Sequence, residues 1–419
     1  MLARLTKLPF FVILMGMASG AMIIPSIHGY FLGDYNVMRV FFYGMILFGM
    51  FTLVIGIATS NYAPASVARS QLLSLLAAFS VLPLMFAVPF YVAIGNTTML
   101  NAWFEMVSCF TTTGATVYDN IGRLTPSLHL WRGLIGWLGG LLVWVTAISI
   151  FAPMNLGGFE VRATSAIGTG NSSHYNQISR IPDPSERLVR FAVQFAPIYT
   201  GLTLVLWLGL VLLGEVPYVA VVHAMSVLST SGITPIGGYY YAASGIWGEL
   251  LVFGFFAFAL SRLMFSKGLI GEDSGGVRRD PEFRVAAFLI AIATAALFLR
   301  HFVWAIESDE TLGWLDQLGA LWGALFTVTS FLTTTGFESF FWQSTVDWSG
   351  LDAPGLILVG LALIGGGVAT TAGGVKLLRV YALARHGERE IERLVHPSSV
   401  GGGGKDARRI RRKGANISW

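Results

Sequence analysis

The chain has 419 residues, of which 54% are hydrophobic and only 12% are charged. This composition excludes a soluble globular domain and is typical of a protein that crosses a membrane several times. Its single cysteine, Cys109, excludes an internal disulfide and a cysteine-rich metal site. The net charge of +4 does not indicate nucleic-acid binding, because the basic residues lack the interleaved aromatic side chains that base stacking needs.

Stretches that are almost free of charge follow one another along the chain. A helix needs roughly 20 apolar residues to cross a hydrocarbon core of about 30 Å. Eight stretches reach that length, two of them only when a flanking charge or two is read through. We therefore predict eight transmembrane helices, at residues 8–33, 40–68, 70–104, 133–159, 191–214, 247–265, 283–303 and 353–375.

Lysine and arginine set the expected orientation. With the N-terminus in the cytoplasm, most of the 27 basic residues fall on the cytoplasmic side of these spans. We expect a multi-pass protein of the cell (inner) membrane, in contact with the lipid bilayer, whose N-terminus and C-terminal tail are both cytoplasmic.

Three shorter apolar segments, at 101–109, 216–228 and 316–331, follow the third, fifth and seventh spans. They are too short to cross again, so we interpret them as re-entrant pore half-helices in a repeated unit of span, half-helix, polar loop and span. The predicted fold is an all-α polytopic membrane protein with about eight transmembrane helices and three such half-helices. The predicted domains are an N-terminal helical pair (1–70), pore repeats at 71–160, 187–266 and 283–385, and a basic cytoplasmic tail (386–419).

A hydroxyl–Thr–hydroxyl–Gly cluster follows each half-helix. One such cluster is an ordinary way to end a helix, but three copies on the same predicted membrane side are hard to obtain by accident. Irregular backbone survives at membrane depth only when it is buried in protein or lines a watery cavity. The clusters are Thr111 to Gly114, Ser229 to Gly232 and Thr333 to Gly336.

Short hydroxyl residues that end in glycine suit a narrow, carbonyl-lined lumen. Glycine permits backbone angles that aim successive carbonyls at one axis, and carbonyl rings replace the hydration shell of an alkali cation. The half-helix before each cluster would also point its negative end toward the cation. We therefore predict a cation filter. A membrane enzyme is a weaker hypothesis, because the sequence contains no catalytic constellation, and the glycine-rich run at 365–376 lacks the Gly-Lys-Ser/Thr of a phosphate loop.

Several motifs together resemble the ion-conducting subunit of the Trk/Ktr/HKT potassium uptake family, and most closely its TrkH branch. They extend over nearly the whole chain. The motifs are "FTTTGATV" (110–117), "LWRGLIGWLGGL" (130–141), "HAMSVLSTSGI" (223–233), "LTTTGFES" (332–339), "TTAGGVK" (370–376) and "ERLVHPSSV" (392–400).

The resemblance implies potassium uptake through a filter of backbone carbonyls, with K⁺ as the transported ion and no bound cofactor. It also implies a homodimer with a cytosolic nucleotide-binding regulatory subunit. The implied filter residues are Thr112, Thr113, Gly114, Thr230, Ser231, Gly232, Thr334, Thr335 and Gly336. The implied gate is an intramembrane loop, 365–374, with Gly365, Gly366, Gly367, Thr370, Thr371, Gly373, Gly374 and the following Lys376. For Lys376, an ordinary membrane anchor and a gating role stay open.

The family pattern has four repeats, whereas three are evident here. Repeat spacing would place a fourth glycine well beyond Trp419, and the composition changes abruptly after "LVHPSSV". We therefore expect that the fourth repeat is missing and that the tail is truncated, although a genuine basic tail is the alternative. The corresponding alternative function is a non-conducting remnant or assembly partner of such a transporter.

Overall fold

Apolar helices make up most of the chain in the computed structural model. The structure describes residues 9–59, 67–118, 120–151, 161–163, 184–261, 280–304, 314–349, 351, 353–395 and 410–412. The first eight helices among the described residues are α1 (Phe10–Ala21), α2 (Ile23–Phe31), α3 (Tyr35–Thr59), α4 (Val67–Ile94), α5 (Met99–Phe110), α6 (Pro126–Thr146), α7 (Pro184–Leu212) and α8 (Pro217–Ser229). Those that follow are α9 (Gly245–Leu260), α10 (Pro281–Trp304), α11 (Trp314–Leu332), α12 (Trp342–Ser349), α13 (Gly355–Ile364) and α14 (Leu377–Val395).

The all-helical fold class is confirmed, with one small addition. Strand β1 (Val161–Ala163) pairs antiparallel with β2 (Ile410–Arg412), and Arg162 lies opposite Arg411. The remaining residues of the predicted tail beyond Val395 lie outside the described residues, and they include the last five residues (396–400) of the "ERLVHPSSV" motif. Helix α14 begins at the buried residues Leu377 and Leu378 and continues without a break to Val395. It therefore crosses the boundary that the sequence suggested at 385/386.

Six of the eight predicted spans are helices long and apolar enough to cross a membrane within the described residues. The other two are shorter there: α9 has 16 residues and α13 has 10. Helix α13 ends at Ile364 because the chain turns back into a loop at Gly365, which has a φ of +74°. The count of eight therefore stays a prediction.

The chain divides into two compact units, and each has its own core. The first comprises Met1–Ile150 and Pro182–Leu251. In its core the buried Trp131 of α6 meets Phe41 of α3 and Phe86 of α4 edge to face, with ring centroids 5.1 and 5.7 Å apart. The Trp131 indole N–H also donates to the Phe86 carbonyl (3.4 Å). These contacts fix α6 against the helices that precede it.

Helix α6 packs between the half-helices α5 and α8 through its glycines. A Cβ placed on Gly139 would lie 2.0 Å from the Phe110 carbonyl oxygen, at the end of α5. A Cβ on Gly140 would lie 3.0 Å from Cα of Ser229, at the end of α8. Small residues let helix backbones approach this closely, so packing explains the two adjacent glycines, Gly139 and Gly140, of the motif "LWRGLIGWLGGL".

The second unit comprises Phe151–Ile181 and Val252–Trp419. Its core is built by α10, α11, α13 and α14, with buried Leu297, Val328 and Leu361 at the centre. The short helix α12, which the sequence did not predict, is anchored by Trp348. That indole stacks on Phe298 with centroids 5.5 Å apart and donates to the Phe298 carbonyl (3.1 Å).

The close approach at Gly139 leads to a stability prediction. We expect Gly139→Ala to lower the free energy of unfolding by about 1–3 kcal/mol, because the added methyl group overlaps the α5 backbone. Thermal unfolding of the detergent-purified protein measures this. The matched control is Gly201→Ala in α7, where a Cβ would have nothing within 4 Å; equal losses in the two variants would contradict the packing explanation.

Candidate functional site

Helices α5, α8 and α11 lie at the positions of the three predicted half-helices, and all three end with the same hydrogen bond. In each, an amide just after the helix donates to the carbonyl of a serine five residues earlier, which is the Schellman arrangement. The nitrogen–oxygen distances are 2.9 Å from Thr113 to Ser108, 3.0 Å from Ser231 to Ser226 and 2.9 Å from Thr335 to Ser330. In all three segments the glycine lies six residues after this serine, so the hydrogen bond has the same position relative to the glycine.

A threonine in the left-handed region reverses the chain direction in each segment. Thr112, Thr230 and Thr334 have φ of 57°, 52° and 57°. This conformation is an outlier for a β-branched residue and is usually left to glycine or asparagine. The same unfavourable geometry thus occurs three times at equivalent positions, which marks these turns as functional candidates.

The hydroxyls on either side of that threonine pair with each other. The oxygen–oxygen distance is 2.8 Å between Thr111 and Thr113, 2.9 Å between Ser229 and Ser231, and 3.0 Å between Thr333 and Thr335. These side chains are thereby occupied with one another. The hydroxyl–Thr–hydroxyl pattern in the sequence is therefore explained as local support for a strained turn.

The first two segments touch at the glycine. Gly114 has a φ of +74°, and a Cβ there would lie 2.1 Å from the Ser231 carbonyl oxygen. Only glycine satisfies both conditions, because any side chain would be strained and would overlap the neighbouring backbone. The backbones of these two predicted filter segments therefore lie side by side within the first unit.

The third segment lies in the second unit, where it contacts the glycine-rich loop. The Thr334 hydroxyl accepts a hydrogen bond from the Gly373 amide at 2.7 Å. Thr334, the left-handed residue of its segment, is therefore tied directly to the loop that the sequence suggested as a gate.

The loop between α13 and α14 closes on itself through its backbone. The amides of Val375 and Lys376 donate to the carbonyls of Leu363 and Ile364, both at 2.9 Å. The end of α13 is thereby capped by residues that follow the loop. The Lys376 ammonium donates to the Ala372 carbonyl inside the loop.

Two neighbouring segments of the second unit hold the loop from outside. The Gly367 amide donates to the Ala259 carbonyl (3.0 Å), and the Val368 amide donates to the Glu282 carboxylate (2.9 Å). Gly365 to Ala372 are buried, whereas Gly373 and Gly374 are exposed. The predicted gate residues thus lie in one continuous loop, and its exposed Gly373 contacts Thr334 of the third predicted filter segment.

Sequence reasoning missed the serines that support the turns. The Ser108 hydroxyl donates to the Ala115 carbonyl (2.6 Å), and the Ser330 hydroxyl accepts from the Phe337 amide (2.7 Å). Each ties a half-helix to the residue just after the glycine. The signal was present, because "SCFTTTG", "SVLSTSG" and "SFLTTTG" all begin with serine.

The comparison with protein families identifies the chain. The family described as "TrkH: Cation transport protein" matches residues 37–417, which is far more than half of the chain. The chain belongs to the TrkH family. This confirms the resemblance drawn from the motifs, and since TrkH-family members are transport proteins, it also confirms that the chain is not an enzyme. This TrkH-family chain, with six apolar spans among its described residues, is a membrane protein.

Individual TrkH-family relatives agree. The chain is 29% identical over 323 residues to the Trk system potassium uptake protein TrkH of Vibrio parahaemolyticus, covering 75% of this chain and 61% of the relative. It is 30% identical over 313 residues to the protein of the same name from Escherichia coli, covering 73% and 59%. The chain thus spans about three fifths of the length of these TrkH relatives.

The fold agrees as well. The crystal structure of the potassium transporter TrkH from Vibrio parahaemolyticus superposes with a TM-score of 0.75 at 23% identity. The match covers 95% of this chain and 78% of that TrkH chain. At this identity the comparison establishes the fold alone.

The contact between the third segment and the loop leads to a second prediction. We expect Thr334→Val to speed amide hydrogen exchange in the peptide that contains Gly373, because valine removes the acceptor and keeps the shape. Loss of one net hydrogen bond corresponds to about fivefold faster exchange. Thr334→Ser, which keeps the hydroxyl, is the control. Unchanged exchange in the valine variant would show that this bond does not hold the loop.

Proposed function

We propose that the chain is the ion-conducting part of a Trk-type potassium uptake transporter, with backbone carbonyls of the three glycine segments lining the filter. The observation that carries the proposal is the threefold repetition of one strained turn, each with the same cap, the same left-handed threonine and the same hydroxyl pair. Strain that recurs at equivalent positions has a shared purpose, and a lumen lined by equivalent carbonyls is that purpose.

The site's electrostatics favour a cation. Each half-helix points its C-terminal, negative end at its glycine segment. The hydroxyls that flank the left-handed threonine pair with each other in all three segments. The proposed ion ligands are therefore backbone carbonyls rather than these hydroxyls. The names of the relatives specify potassium, and the family pattern of one glycine per segment is kept in all three. K⁺ is thus the proposed transported ion, bound by Thr112, Thr113, Gly114 and their counterparts in the other two segments.

The loop from Gly365 to Lys376 is the proposed gate. A gate needs a segment with two accessible arrangements. This loop is irregular, and hydrogen bonds hold it: those of its own backbone and those to Glu282, Thr334 and Lys376. Its contact with Thr334 would let a movement of the loop reach the filter directly. We include Lys376 in this gate, because its ammonium donates to the Ala372 carbonyl inside the loop.

The remaining parts of the proposal rest on the family resemblance and the sequence. They are the three repeats within the predicted boundaries, insertion in the inner membrane with both ends in the cytoplasm, and a homodimer. A cytosolic nucleotide-binding regulatory subunit is included among the partners. Helix α14 suits a cytoplasmic position, because Leu377 and Leu378 are buried at its start while the ion pair of Arg385 and Glu388 is solvent-exposed farther along.

Gly114 provides the test. We expect Gly114→Ala to lower the preference for potassium over sodium by about tenfold or more, because the methyl group is strained at positive φ and meets the Ser231 carbonyl. Rubidium and sodium uptake into proteoliposomes containing the whole chain measures the preference.

The control is Gly95→Ala, since Gly95 has a similar φ of +76° but a Cβ there would meet nothing within 4 Å. It applies the same backbone strain outside the filter and should leave the preference unchanged. A Gly114→Ala protein that selects like wild type would refute the filter assignment. A wild-type chain that takes up no rubidium would instead favour the non-conducting assembly partner.

A further inference from the structure

A buried polar side chain occupies the same place on each half-helix, nine residues before the glycine. The three are Glu105 before Gly114, His223 before Gly232 and Thr327 before Gly336, and all have a relative exposure of 0%. A carboxylate, an imidazole and a hydroxyl share no sequence pattern. Burying any of them is unfavourable unless each makes hydrogen bonds, so a common purpose must be sought in their contacts.

Each of the three side chains forms a hydrogen bond with the irregular segment that follows the glycine, which we call the exit strand. The Glu105 carboxylate accepts from the Thr116 hydroxyl (3.0 Å) and from the Val117 amide (3.1 Å) through one oxygen. A ring nitrogen of His223 lies 3.0 Å from the Thr234 hydroxyl. The Thr327 hydroxyl accepts from the Ser339 amide at 3.2 Å.

The partners are equivalent as well. Thr116 and Thr234 lie two residues after their glycines, and Val117 and Ser339 lie three residues after theirs. The same connection from half-helix to exit strand has therefore been kept with three different functional groups. Since packing alone would be satisfied by an apolar residue, the shared feature is the hydrogen bond to the strand.

We propose that Glu105, His223 and Thr327 are positioning residues that brace the exit strands of the filter and thereby fix the spacing of its carbonyls. This inference rests on the proposed function, because the quantity that the braces control is ion selectivity. The strained turn fixes the backbone before the glycine, and the brace fixes the backbone after it. The glycine therefore lies between two anchored points of the chain.

The brace in the first repeat is joined to α6. The second oxygen of Glu105 lies 2.6 Å from Nε of Arg132, which is also buried. Arg132 in turn contacts His129 Nδ1 (3.3 Å), and the other ring nitrogen of His129 lies 3.1 Å from the Ile121 carbonyl. The arginine neutralises the carboxylate, so the brace positions the strand without placing a net charge beside the filter. Removing Glu105 alone would leave the buried Arg132 without its carboxylate partner. The site would then be destabilised by an unpaired charge rather than by loss of the brace.

Thr327 offers the cleanest test, because its replacement by valine removes the hydroxyl that binds the Ser339 amide and keeps the shape of the side chain. We expect Thr327→Val to lower the potassium-over-sodium uptake ratio of the whole chain in proteoliposomes about fivefold, which corresponds to one net hydrogen bond. Thr327→Ser keeps the hydroxyl and should restore the wild-type ratio. Thr329→Val is the matched control, since Thr329 is buried on the same helix but its hydroxyl binds only the Leu325 carbonyl of its own helix in the described contacts (2.7 Å).

The outcomes separate the brace from the transport function. A Thr327→Val protein with the wild-type ratio, or Thr327 and Thr329 variants that lose selectivity equally, would overturn the brace while transport stands. Hydrogen exchange at Ser339 provides a readout that does not need transport. If the wild-type chain conducts no ion, the proposed function fails, yet faster exchange at Ser339 in Thr327→Val and not in Thr329→Val would still support the brace, whereas unchanged exchange would refute it.

Discussion

The whole arrangement depends on one requirement: backbone N–H and C=O groups inside a bilayer must find partners within the protein. A continuous helix meets the requirement by itself, but a filter needs irregular backbone with free carbonyls. In these segments, several of the other polar groups are paired within the protein. The Schellman bond caps the helix, the flanking hydroxyls bind each other, and a serine binds the strand beyond the glycine. In the proposed filter, carbonyls of these segments would bind the ion.

The same requirement explains the loop between α13 and α14. A span interrupted at Gly365 would expose the last carbonyls of its helix, but the amides of Val375 and Lys376 return to cap them. Such a loop is stable as a unit and yet is held by few side chains. The proposed gate would therefore move by breaking these hydrogen bonds rather than by unpacking a helix.

Sequence reasoning recovered what periodicity and composition encode. The long apolar spans and the three glycine segments are local patterns, so hydropathy and the repeated hydroxyl–Gly cluster were enough to find them. The length of α13 and the presence of α12 depend on hydrogen bonds and indole packing between distant residues, which no local pattern carries. The positions of Glu105, His223 and Thr327 were missed for another reason. Their equivalence lies in the bond that they make, and three different residue types conceal it from any search for a motif.

The left-handed threonines have a consequence for the order in which the protein assembles. A β-branched residue at a φ near +55° is unfavourable on its own and persists only where the surroundings impose it. The surroundings here include α6, whose Gly139 and Gly140 approach the ends of α5 and α8. A half-helix that has entered the membrane but has not yet met its neighbours lacks that constraint. We therefore expect the left-handed turns after α5 and α8 to form only once these helices have packed against α6.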